Sequence, residues 1–378
     1  MSLTVRAITA AAHREWIATR PHVSFLQTPA WGEVKSGWQA ESLGWFAGSR
    51  LVGAGLALYR QVPRLPRSLA YLPGGPDLDW TGERLPGTDL DQWLQPLLRH
   101  ARDRGAFTVK LGPEVVTRRW SASTVKSAIA TGMASGLTQL PADEEDAAGR
   151  AVLDRLVALG WTRGAGSGAG FGDVQPRHVF CVPLAGRTLD DVFAGFNQQW
   201  RRNIRLATKA GVTVTTGSYD DLPAFHEVYV ETAERDGFTA RGLAYFQHMW
   251  RQLRAEDPNR LTLYLAHRGD ELLAATTMTR VGDRAWYSYG ASTTAGRDAR
   301  PSNAIQWAML RDAHAAGCSV YDLRGISDTL DPTDHLFGLV QFKLGTGGYV
   351  QEYAGEWDYP VRPLWHKAFR SYLARRQA

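Results

Sequence analysis

The sequence predicts an α/β (α+β) protein built from two similar halves. The chain has 378 residues, more than one typical core needs, which favours two domains of about 150–200 residues each. Segments with helical and strand periodicity alternate along the chain. Because the second half repeats the plan of the first, the pattern indicates an internally duplicated fold.

The composition is that of an ordinary globular protein. Apolar residues make up 44% of the chain and charged residues 21%, which is usual for a globular domain. No run of about 18 apolar residues occurs, so we expect no membrane-spanning helix, and residues 1–6 do not resemble a signal peptide. Cys181 and Cys318 show no metal-ligand or disulfide spacing. The sequence therefore predicts a cytoplasmic protein without a metal site.

Charge and aromatic content suggest an anionic or an extended ligand. The net charge is +5 and the chain has 14 tryptophans. A positive charge suits a polyanionic partner or an anionic membrane surface, although many enzymes share it. Tryptophan in this number suits a long binding groove as well as a hydrophobic core.

The first half alternates helix and strand. Thr28 is a typical helix cap and Pro29 suits the first helical position, so a short helix is predicted to begin there. A hairpin over 41–59 is predicted from two apolar runs joined by Gly48-Ser49-Arg50. The other predicted elements are helices over 10–19, 90–104 and 143–160 and strands over 69–72 and 107–111.

A glycine-rich run over 164–172 lies between the halves. Its glycines fall on every second residue, so it fits neither the dinucleotide-binding spacing nor the P-loop spacing. We interpret it as a flexible loop or a domain connection.

The second half follows the same plan and ends in a basic helix, which suits an anionic membrane face or tRNA as well as plain solvation. Its predicted strands are 178–184, 212–216, 261–267, 272–280, 284–289, 319–323 and 350–359. Its predicted helices are 196–211, 222–236, 242–253, 301–316 and 363–376.

The helix over 196–211 carries the strongest local signal for a binding site. Its four cations share about a quarter-turn, and its apolar residues take roughly the opposite side. A solvated face normally mixes in Glu or Asp, and this face has neither, so we favour an anion-binding helix over a plain solvent-facing one. The cations are Arg201, Arg202, Arg205 and Lys209, and the inward-facing residues are Trp200, Ile204 and Ala207.

A second candidate lies between a strand that ends in Asp322-Leu323-Arg324-Gly325 and a glycine-rich turn over 345–348. Phe342 and Lys343 stand directly before that turn. Glycine lets backbone approach a ligand closely, and a lysine beside it can serve as a fixed cation for a phosphate or a developing oxyanion. A plain surface lysine beside a tight turn is the alternative.

The rest of the sequence offers a channel but no nucleophile. Tyr287 or Tyr289 can line a substrate channel at a strand end, and core packing is an equal alternative for one of them. We find no Gly-x-Ser-x-Gly elbow, no paired metal-binding histidines and no reactive-looking cysteine with a partner in the sequence. An acyl transfer at such a site needs an already activated acyl donor.

Taken together, these segments resemble the Fem-type (FemABX) peptidyltransferases. The match runs essentially from end to end, and several separated motifs in the right order are more specific than any one of them. The matching segments are 27–38, Phe196-Asn197 with Arg202-Asn203-Ile204-Arg205 and the following residues to Val212, Tyr321–Gly325, Phe342-Lys343-x-Gly345, and Gly355-Glu356-Trp357-Asp358.

The resemblance implies two tandem GNAT-like acyltransferase domains, residues 1–175 with 355–378 and residues 176–354. No coiled-coil insert is expected, because 239–259 has room for one helix only. The implied reaction transfers an amino acid, usually glycine, from aminoacyl-tRNA to the stem-peptide amine of a peptidoglycan precursor, lipid II or UDP-MurNAc-pentapeptide, and forms the interpeptide bridge. Aminoacyl-tRNA is a co-substrate and no cofactor is implied. We expect a monomer in peripheral contact with the cytoplasmic face of the membrane.

The resemblance also implies roles for individual residues. Lys35 and Arg202 would hold the diphosphate of the precursor, with Trp38 nearby. Lys343 would be the catalytic cation, and Phe342 its packing neighbour at the tRNA acceptor end. Further residues expected to contact substrate are Arg205, Tyr287, Tyr289 and Arg324.

Two positions depart from the family pattern. Many relatives have Asp-Pro where this chain has Gly112-Pro113, so an acidic role cannot be carried over to that position. Many also have Phe where this chain has Thr346, so the packing that this Phe provides at the tRNA acceptor end cannot be carried over.

The chemistry agrees with such a transfer. An aminoacyl ester is already activated, so proximity and a cation at the oxyanion are what an enzyme must add, and Lys343 suits the second role. The acceptor amine has an ordinary pKa of about 10.4. Because no His or carboxylate stands out as its base, we expect the substrate to supply one.

Three alternatives stay open. The chain could aminoacylate a soluble peptide or nucleoside natural product, act as an acyl-CoA-dependent GNAT N-acyltransferase, or be a non-catalytic module that binds RNA or the envelope. Residues 299–303 occupy the place of the pyrophosphate loop of acyl-CoA enzymes and do not match it, which weighs against the second alternative.

Overall fold

The structure, a computed structural model, describes residues 2–163 and 174–377, with side chains described as far as residue 371. The chain divides into two compact units. Unit 1 comprises Met1–Arg118, Glu144–Arg177 and Glu352–Ala378, and unit 2 comprises Arg119–Asp143 and His178–Gln351. The predicted connection over 164–172 lies outside the described residues.

The division differs from the sequence-based one in the segment 119–143, which we had assigned to the first domain. Trp120, Val125 and Leu137 are buried in the hydrophobic core of unit 2. Their apolar side chains therefore join this segment to the second unit, although it precedes the predicted domain boundary in the chain.

The helices agree closely with the predicted ranges where a prediction was made. They are α1 (Ala10–Ala18), α2 (Pro29–Val34), α3 (Leu90–Asp103), α4 (Ala122–Thr131), α5 (Ala147–Ala158), α6 (Leu189–Gly195), α7 (Gln198–Lys209), α8 (Leu222–Asp236), α9 (Leu243–Glu256), α10 (Pro301–Ala315), α11 (Phe337–Leu344) and α12 (Pro363–Gln377). The segment 239–259 holds the single helix α9. In the described ranges, no helix combines the length and apolar character needed to cross a bilayer.

The strands alternate with these helices. They are β1 (Leu3–Ala7), β2 (Gln39–Ala47), β3 (Arg50–Gln61), β4 (Ser68–Leu72), β5 (Ala106–Leu111), β6 (Val116–Ser121), β7 (Glu144–Glu145), β8 (Thr162–Arg163), β9 (His178–Pro183), β10 (Val212–Gly217), β11 (Leu261–Arg268), β12 (Glu271–Val281), β13 (Arg284–Ser292), β14 (Val320–Gly325), β15 (Tyr349–Tyr353) and β16 (Trp357–Tyr359).

Unit 1 is built on a seven-stranded sheet in the order β1-β2-β3-β4-β5-β16-β8. β4 and β5 are parallel, and the other neighbours with a resolved register are antiparallel. Trp45 and Trp93 are fully buried in its core, where the Trp45 indole donates to the Trp93 carbonyl at 2.8 Å.

Unit 2 carries a second mixed sheet in which β10, β11, β12, β13, β14 and β9 are successive neighbours. β13 and β14 are parallel but pair only over Arg284–Trp286 and Val320–Asp322. Beyond these residues the described parts of β13 and β14 are not paired with each other, so the two strands separate at their carboxyl ends. Functional groups at the ends of β13 and β14 therefore lie beside an opening in the sheet.

A β-bulge decides where the two tyrosines of β13 point. The register between β12 and β13 shifts between Thr276 and Met278, and an extra residue of this kind reverses the facing of the side chains beyond it. Tyr287 packs against the main core of unit 2, whereas Tyr289 contacts the rings of α8 and α9. In a regular strand, residues two apart would share a face, so the bulge is the reason that they differ.

One predicted strand is wrong. The segment 350–359 forms two strands, β15 and β16, separated by Gly355 at φ +77°. A left-handed glycine turns the chain here, and β16 enters the sheet of unit 1 beside β5. The sequence pattern also missed β1, β6, β7, β8 and α4.

Candidate active site

Lys343 is buried at the end of α11. Its side chain is only 4% exposed, so the alternative of a surface lysine is wrong. The ammonium donates to the carbonyl of Gly325 and lies 3.5 Å from the carbonyl of Arg324. Both carbonyls belong to the end of β14, at the point where β13 and β14 have separated.

The backbone at Arg324 arranges these carbonyls. Arg324 has a φ of +63°, a left-handed conformation that is unusual for a residue with a side chain. Its N–H donates to the Asp322 carboxylate at 2.6 Å, which helps to hold the turn. Unusual backbone of this kind persists only where the surroundings enforce it, and it is common at functional sites.

Asp322 is the carboxylate that acts electrostatically on the Lys343 ammonium, but both of its oxygens already have other partners. One accepts from Arg284 at 2.8 Å and the other accepts from the Arg324 N–H. Among the described residues, no carboxylate lies within ion-pair distance of the Lys343 ammonium. Its hydrogen bonds are to neutral carbonyl oxygens, which do not cancel its charge.

This environment favours loss of a proton. Burial lowers the pKa of Lys343 from its usual value to about 7, with Asp322 acting in the opposite direction and Arg324 adding to the effect. Desolvation disfavours a charged ammonium, and strongly perturbed groups cluster at functional sites. Near neutral pH the side chain therefore exists both as ammonium and as amine.

The glycine-rich turn after Lys343 is packed against protein. A Cβ at Gly345 would overlap the Trp200 indole, and one at Gly347 or Gly348 would overlap a backbone carbonyl of Gly195 or Cys181, respectively. These glycines therefore serve close packing inside unit 2, and we had expected them to let backbone approach a ligand.

Thr346, which had no counterpart in the family pattern, lies two residues after the end of α11. Its hydroxyl donates to the Lys343 carbonyl at 2.7 Å, and the residue is buried. The last carbonyls of a helix lack partners within the helix. The Lys343 carbonyl also accepts from the Thr346 N–H at 3.0 Å, so Thr346 holds the residue that carries the cation through two hydrogen bonds.

Phe342 joins the site to the basic helix α7. The Trp200 indole donates to the Phe342 carbonyl at 2.7 Å, and the two rings lie 4.6 Å apart. The Asn197 N–H donates to the Gly345 carbonyl at 2.8 Å. The start of α7 and the end of α11 are therefore held together on both sides of Lys343.

The two faces of α7 are oriented as predicted. Trp200, Ile204 and Ala207, the residues predicted to face inward, are buried, and Asn197 caps the first turn. Arg202, Arg205 and Lys209 are exposed, whereas Arg201 is half-buried and donates to the Ala194 carbonyl at 3.0 Å. The cationic face lines a surface groove of about 750 Å³ with Asp190 as its acid. Its role in binding an anion stays a prediction.

The tyrosines of β13 have different surroundings. The Tyr289 and Tyr245 hydroxyls are 3.0 Å apart, in a cluster of aromatic rings that includes Phe246. Burial raises the pKa of Tyr287 to about 12, with a smaller contribution from Asp236. Tyr287 therefore has the core contacts that we had given as an alternative for one of the pair, and the substrate roles of both stay predictions.

Lys35 and Trp38 lie in unit 1, at and just after the end of α2. The Lys35 ammonium is 4.7 Å from the Trp31 ring centre. The Trp38 ring lies 6.1 Å from that of Tyr71, with the Arg60 guanidinium 5.5 Å from Trp38. Because Arg202 lies in unit 2, joint binding of a diphosphate by Lys35 and Arg202 stays a prediction.

Glu356 is a buried acid that the sequence analysis did not single out. It is 1% exposed, and it accepts from the Tyr71 hydroxyl and from the Val174 N–H at 3.0 Å. Lys110 is 3.8 Å away. A Cβ at Gly112 would lie 3.2 Å from its Cγ, so Glu356 fills the space beside the position where many relatives have Asp. The only signal in the sequence was its place in a matching motif.

Comparisons with known proteins identify the family of this chain. The FemAB family model matches residues 8–267 and 259–373. The lipid II:glycine glycyltransferases of Staphylococcus haemolyticus and Staphylococcus aureus are each 24% identical, over 95% of this chain and 93% of theirs.

Two solved structures are similar in fold. The crystal structure of FemX superposes with a TM-score of 0.78 at 22% identity, over 96% of this chain and 98% of that one. A tandem GNAT protein from the clavulanic acid biosynthesis pathway has a TM-score of 0.51 at 14% identity, over 95% and 99%. The predicted fold of two GNAT-like halves is thereby confirmed, and because the family model spans nearly the whole chain, the chain belongs to the FemAB family.

Proposed function

We propose that this protein transfers glycine from glycyl-tRNA to the stem-peptide amine of a peptidoglycan precursor. Membership of the FemAB family and the names of the staphylococcal relatives support the acceptor and the amino acid. The observation that carries the proposal is the buried Lys343 ammonium, held by carbonyl groups where β13 and β14 separate. The tRNA dependence is our extension from the family resemblance, and an aminoacyl ester suits it because such a donor is already activated and needs only proximity and a cation at the oxyanion.

The reaction balances without a covalent enzyme intermediate. The acceptor amine attacks the ester carbonyl of glycyl-tRNA, and a new C–N bond forms. The ester C–O bond then breaks, and the terminal ribose hydroxyl of the tRNA leaves with the proton that the amine has lost. Lys343 in its ammonium form stabilises the oxyanion of the tetrahedral intermediate.

The remaining residues act in binding. Arg202 and Lys35 bind the diphosphate of the precursor, with Trp38 nearby, and Tyr289 lines the channel for the peptide. Phe342 lies at the acceptor end of the tRNA. Arg205, Tyr287 and Arg324 contact substrate. We further propose that the enzyme works as a monomer, needs no cofactor, and associates with the membrane peripherally.

A single assay tests the donor and the acceptor. Purified protein is incubated with tRNA charged in turn with labelled glycine, alanine or serine, and with lipid II or UDP-MurNAc-pentapeptide, and products are identified by mass. We expect a mass increase of one or more glycines that disappears after RNase treatment. Products that form from glycyl-CoA, or that survive RNase, would contradict the proposal.

Precursor binding is tested separately. Arg202→Ala should weaken precursor affinity by about tenfold, the typical loss of one charge-assisted contact. Arg311→Ala, a basic residue on a different helix of unit 2, is the control. Unchanged affinity in a calorimetric titration of Arg202→Ala would remove its diphosphate role.

A further inference from the structure

An exposed surface of unit 1 combines apolar and basic side chains. It consists of Arg64, Leu65, Arg67, Leu364, Trp365 and Lys367, and we call it the apolar–basic surface. Leu364 is 84% exposed, Trp365 40% and Leu65 37%. The Arg67 guanidinium lies 6.0 Å from the Trp365 ring, which joins the β3–β4 loop to the start of α12.

The outward position of Leu364 is fixed by the opposite side of α12. Phe369 packs on Phe107 with ring centres 5.2 Å apart, and His366 hydrogen-bonds to Thr108 at 3.1 Å. At 100° per residue, Leu364 is displaced by about 160° from His366 and about 140° from Phe369. It therefore contributes nothing to the core of unit 1.

The charges of this surface have one sign. Neither the loop 62–67 nor the helix segment 362–371 contains Asp or Glu. Exposed leucine and tryptophan among arginine and lysine are typical of a segment that lies in the interface of a bilayer. Basic residues near such a surface are attracted by anionic lipids.

A pocket of about 360 Å³ adjoins this surface at the ends of β2, β3 and β4. Arg67 lines it and is also part of the apolar–basic surface. The Ser68 hydroxyl and the Arg67 Nε are buried there without a hydrogen-bond partner among the described residues. Buried polar atoms are normally satisfied, so these two indicate room for a polar ligand.

Two other groups set the character of the pocket. Tyr59 also lines it, and its hydroxyl makes no hydrogen bond of normal geometry with a described residue, although burial and the nearby Glu41 carboxylate raise its pKa. Glu41 is itself paired with Arg104 and with His100 at 3.0 Å. With Glu41 balanced by Arg104, the remaining charge of the lining is that of Arg67, which suits one phosphodiester.

We propose that unit 1 docks on anionic phospholipid through the apolar–basic surface and binds a hydroxylated headgroup, such as that of phosphatidylglycerol, in the adjoining pocket. The proposal rests on the peripheral membrane association proposed above and identifies the surface that provides it. The phosphate lies at Arg67, and the headgroup hydroxyls bond to Ser68 and Tyr59.

Vesicle co-sedimentation tests the surface. The purified full chain is mixed with phosphatidylcholine vesicles, with or without phosphatidylglycerol and without any peptidoglycan precursor. We expect binding only when phosphatidylglycerol is present, and a loss of at least about tenfold in the double variant Leu65→Glu, Leu364→Glu. Val157→Glu is the matched control, since Val157 is 62% exposed elsewhere in unit 1.

Several outcomes would overturn the docking proposal. They are wild-type binding by the double variant, an equal loss in Val157→Glu, or binding of duplex RNA in place of vesicles. The transfer assay with UDP-MurNAc-pentapeptide is run on the same variants. Failure of docking leaves transfer intact, and failure of transfer leaves vesicle binding intact, so the two proposals are separable.

The pocket is tested by headgroup preference. We expect several-fold tighter binding to vesicles with phosphatidylglycerol than to vesicles with phosphatidic acid, which lacks the glycerol hydroxyls. Ser68→Ala should remove that preference while the thermal unfolding midpoint stays unchanged. Equal binding of both lipids by the wild type, or a preference retained in Ser68→Ala, would overturn the headgroup assignment.

Discussion

Each unit of the molecule contains a buried charged side chain of interest, Glu356 in unit 1 and Lys343 in unit 2, and their surroundings differ. Glu356 in unit 1 accepts hydrogen bonds from Tyr71 and Val174 and lies 3.8 Å from Lys110. Lys343 in unit 2 is held by neutral carbonyls, and Asp322, the acid that acts on it, is paired with Arg284.

The difference separates a structural charge from a reactive one. The desolvation cost of a buried charge is offset when it has an oppositely charged partner and a full set of hydrogen bonds. Removing one member of such a pair leaves the other as an uncompensated buried charge. A buried ammonium without such a partner stays close to losing its proton, as the lowered pKa of Lys343 indicates. We therefore assign chemistry to Lys343 and fold stability to Glu356.

The largest expected effect is on catalysis. Lys343→Met removes the cation with little change in volume, and it should reduce transfer by two to three orders of magnitude, roughly the loss seen when one oxyanion donor is removed. Glu356→Gln should stay within about tenfold of the wild type. Initial transfer rates are measured for both variants with saturating substrates. An equal loss of rate in the two would contradict the assignment of chemistry to Lys343 and of fold stability to Glu356.

The second effect is on stability, which should fall in Glu356→Gln and should not fall in Lys343→Met. Glu356→Gln removes a buried carboxylate that accepts from Tyr71 and Val174, while Lys110 keeps its closer pair with Asp358 at 3.1 Å, and it should lower the free energy of unfolding by about 1–3 kcal/mol. Lys343→Met removes a desolvated charge and should leave stability unchanged or raised at pH 7. Urea denaturation provides the values, with Glu83→Gln, an exposed carboxylate of unit 1, as control. A destabilised Lys343→Met would contradict this account.

The third effect is the pH dependence of that stability. The pKa of Lys343 is about 7 in the folded chain and about 10.4 when unfolded. Between these values the unfolded state binds the extra proton, so stability rises with pH by up to about 1.4 kcal/mol per unit. Below pH 7 both states are protonated and this contribution is flat. Lys343→Met should lack the rise, and parallel curves for the two proteins would exclude the lowered pKa.

The smallest effect concerns Thr346, just after the end of α11. Thr346→Val keeps the shape of the side chain and removes its hydrogen bond to the Lys343 carbonyl, which should lower stability by about 1 kcal/mol. The transfer rate should fall only a few-fold, because the ammonium keeps both of its carbonyl contacts. Thr333→Val, an exposed threonine of unit 2, is the comparison in the same denaturation experiment.

Much of the fold follows from local patterns. The faces of α7 were predicted from spacing alone, because Trp200 and Ile204 recur at helical intervals among cations. The single helix α9 was predicted from the length of its segment. The break between β15 and β16 was not predicted, because the left-handed turn at Gly355 lies inside an otherwise strand-like run.

The site depends on contacts that no local pattern contains. The burial of Lys343 arises because the backbone reverses at Arg324 and turns two carbonyls toward it. The bulge between β12 and β13 turns the Tyr289 side chain away from the main core of unit 2. Glu356 occupies the space beside Gly112, a residue 244 positions away in the chain. Each of these requires the tertiary structure.

A ¹³C NMR titration of the lysine Cε resonances tests the central claim most directly. The chain has six lysines, Lys35, Lys110, Lys126, Lys209, Lys343 and Lys367, and the Lys343→Met variant assigns the signal of interest. We expect one resonance to titrate near pH 7 and to be missing from that variant. Titration of the Lys343 resonance near the ordinary lysine pKa of about 10.4 would contradict the account.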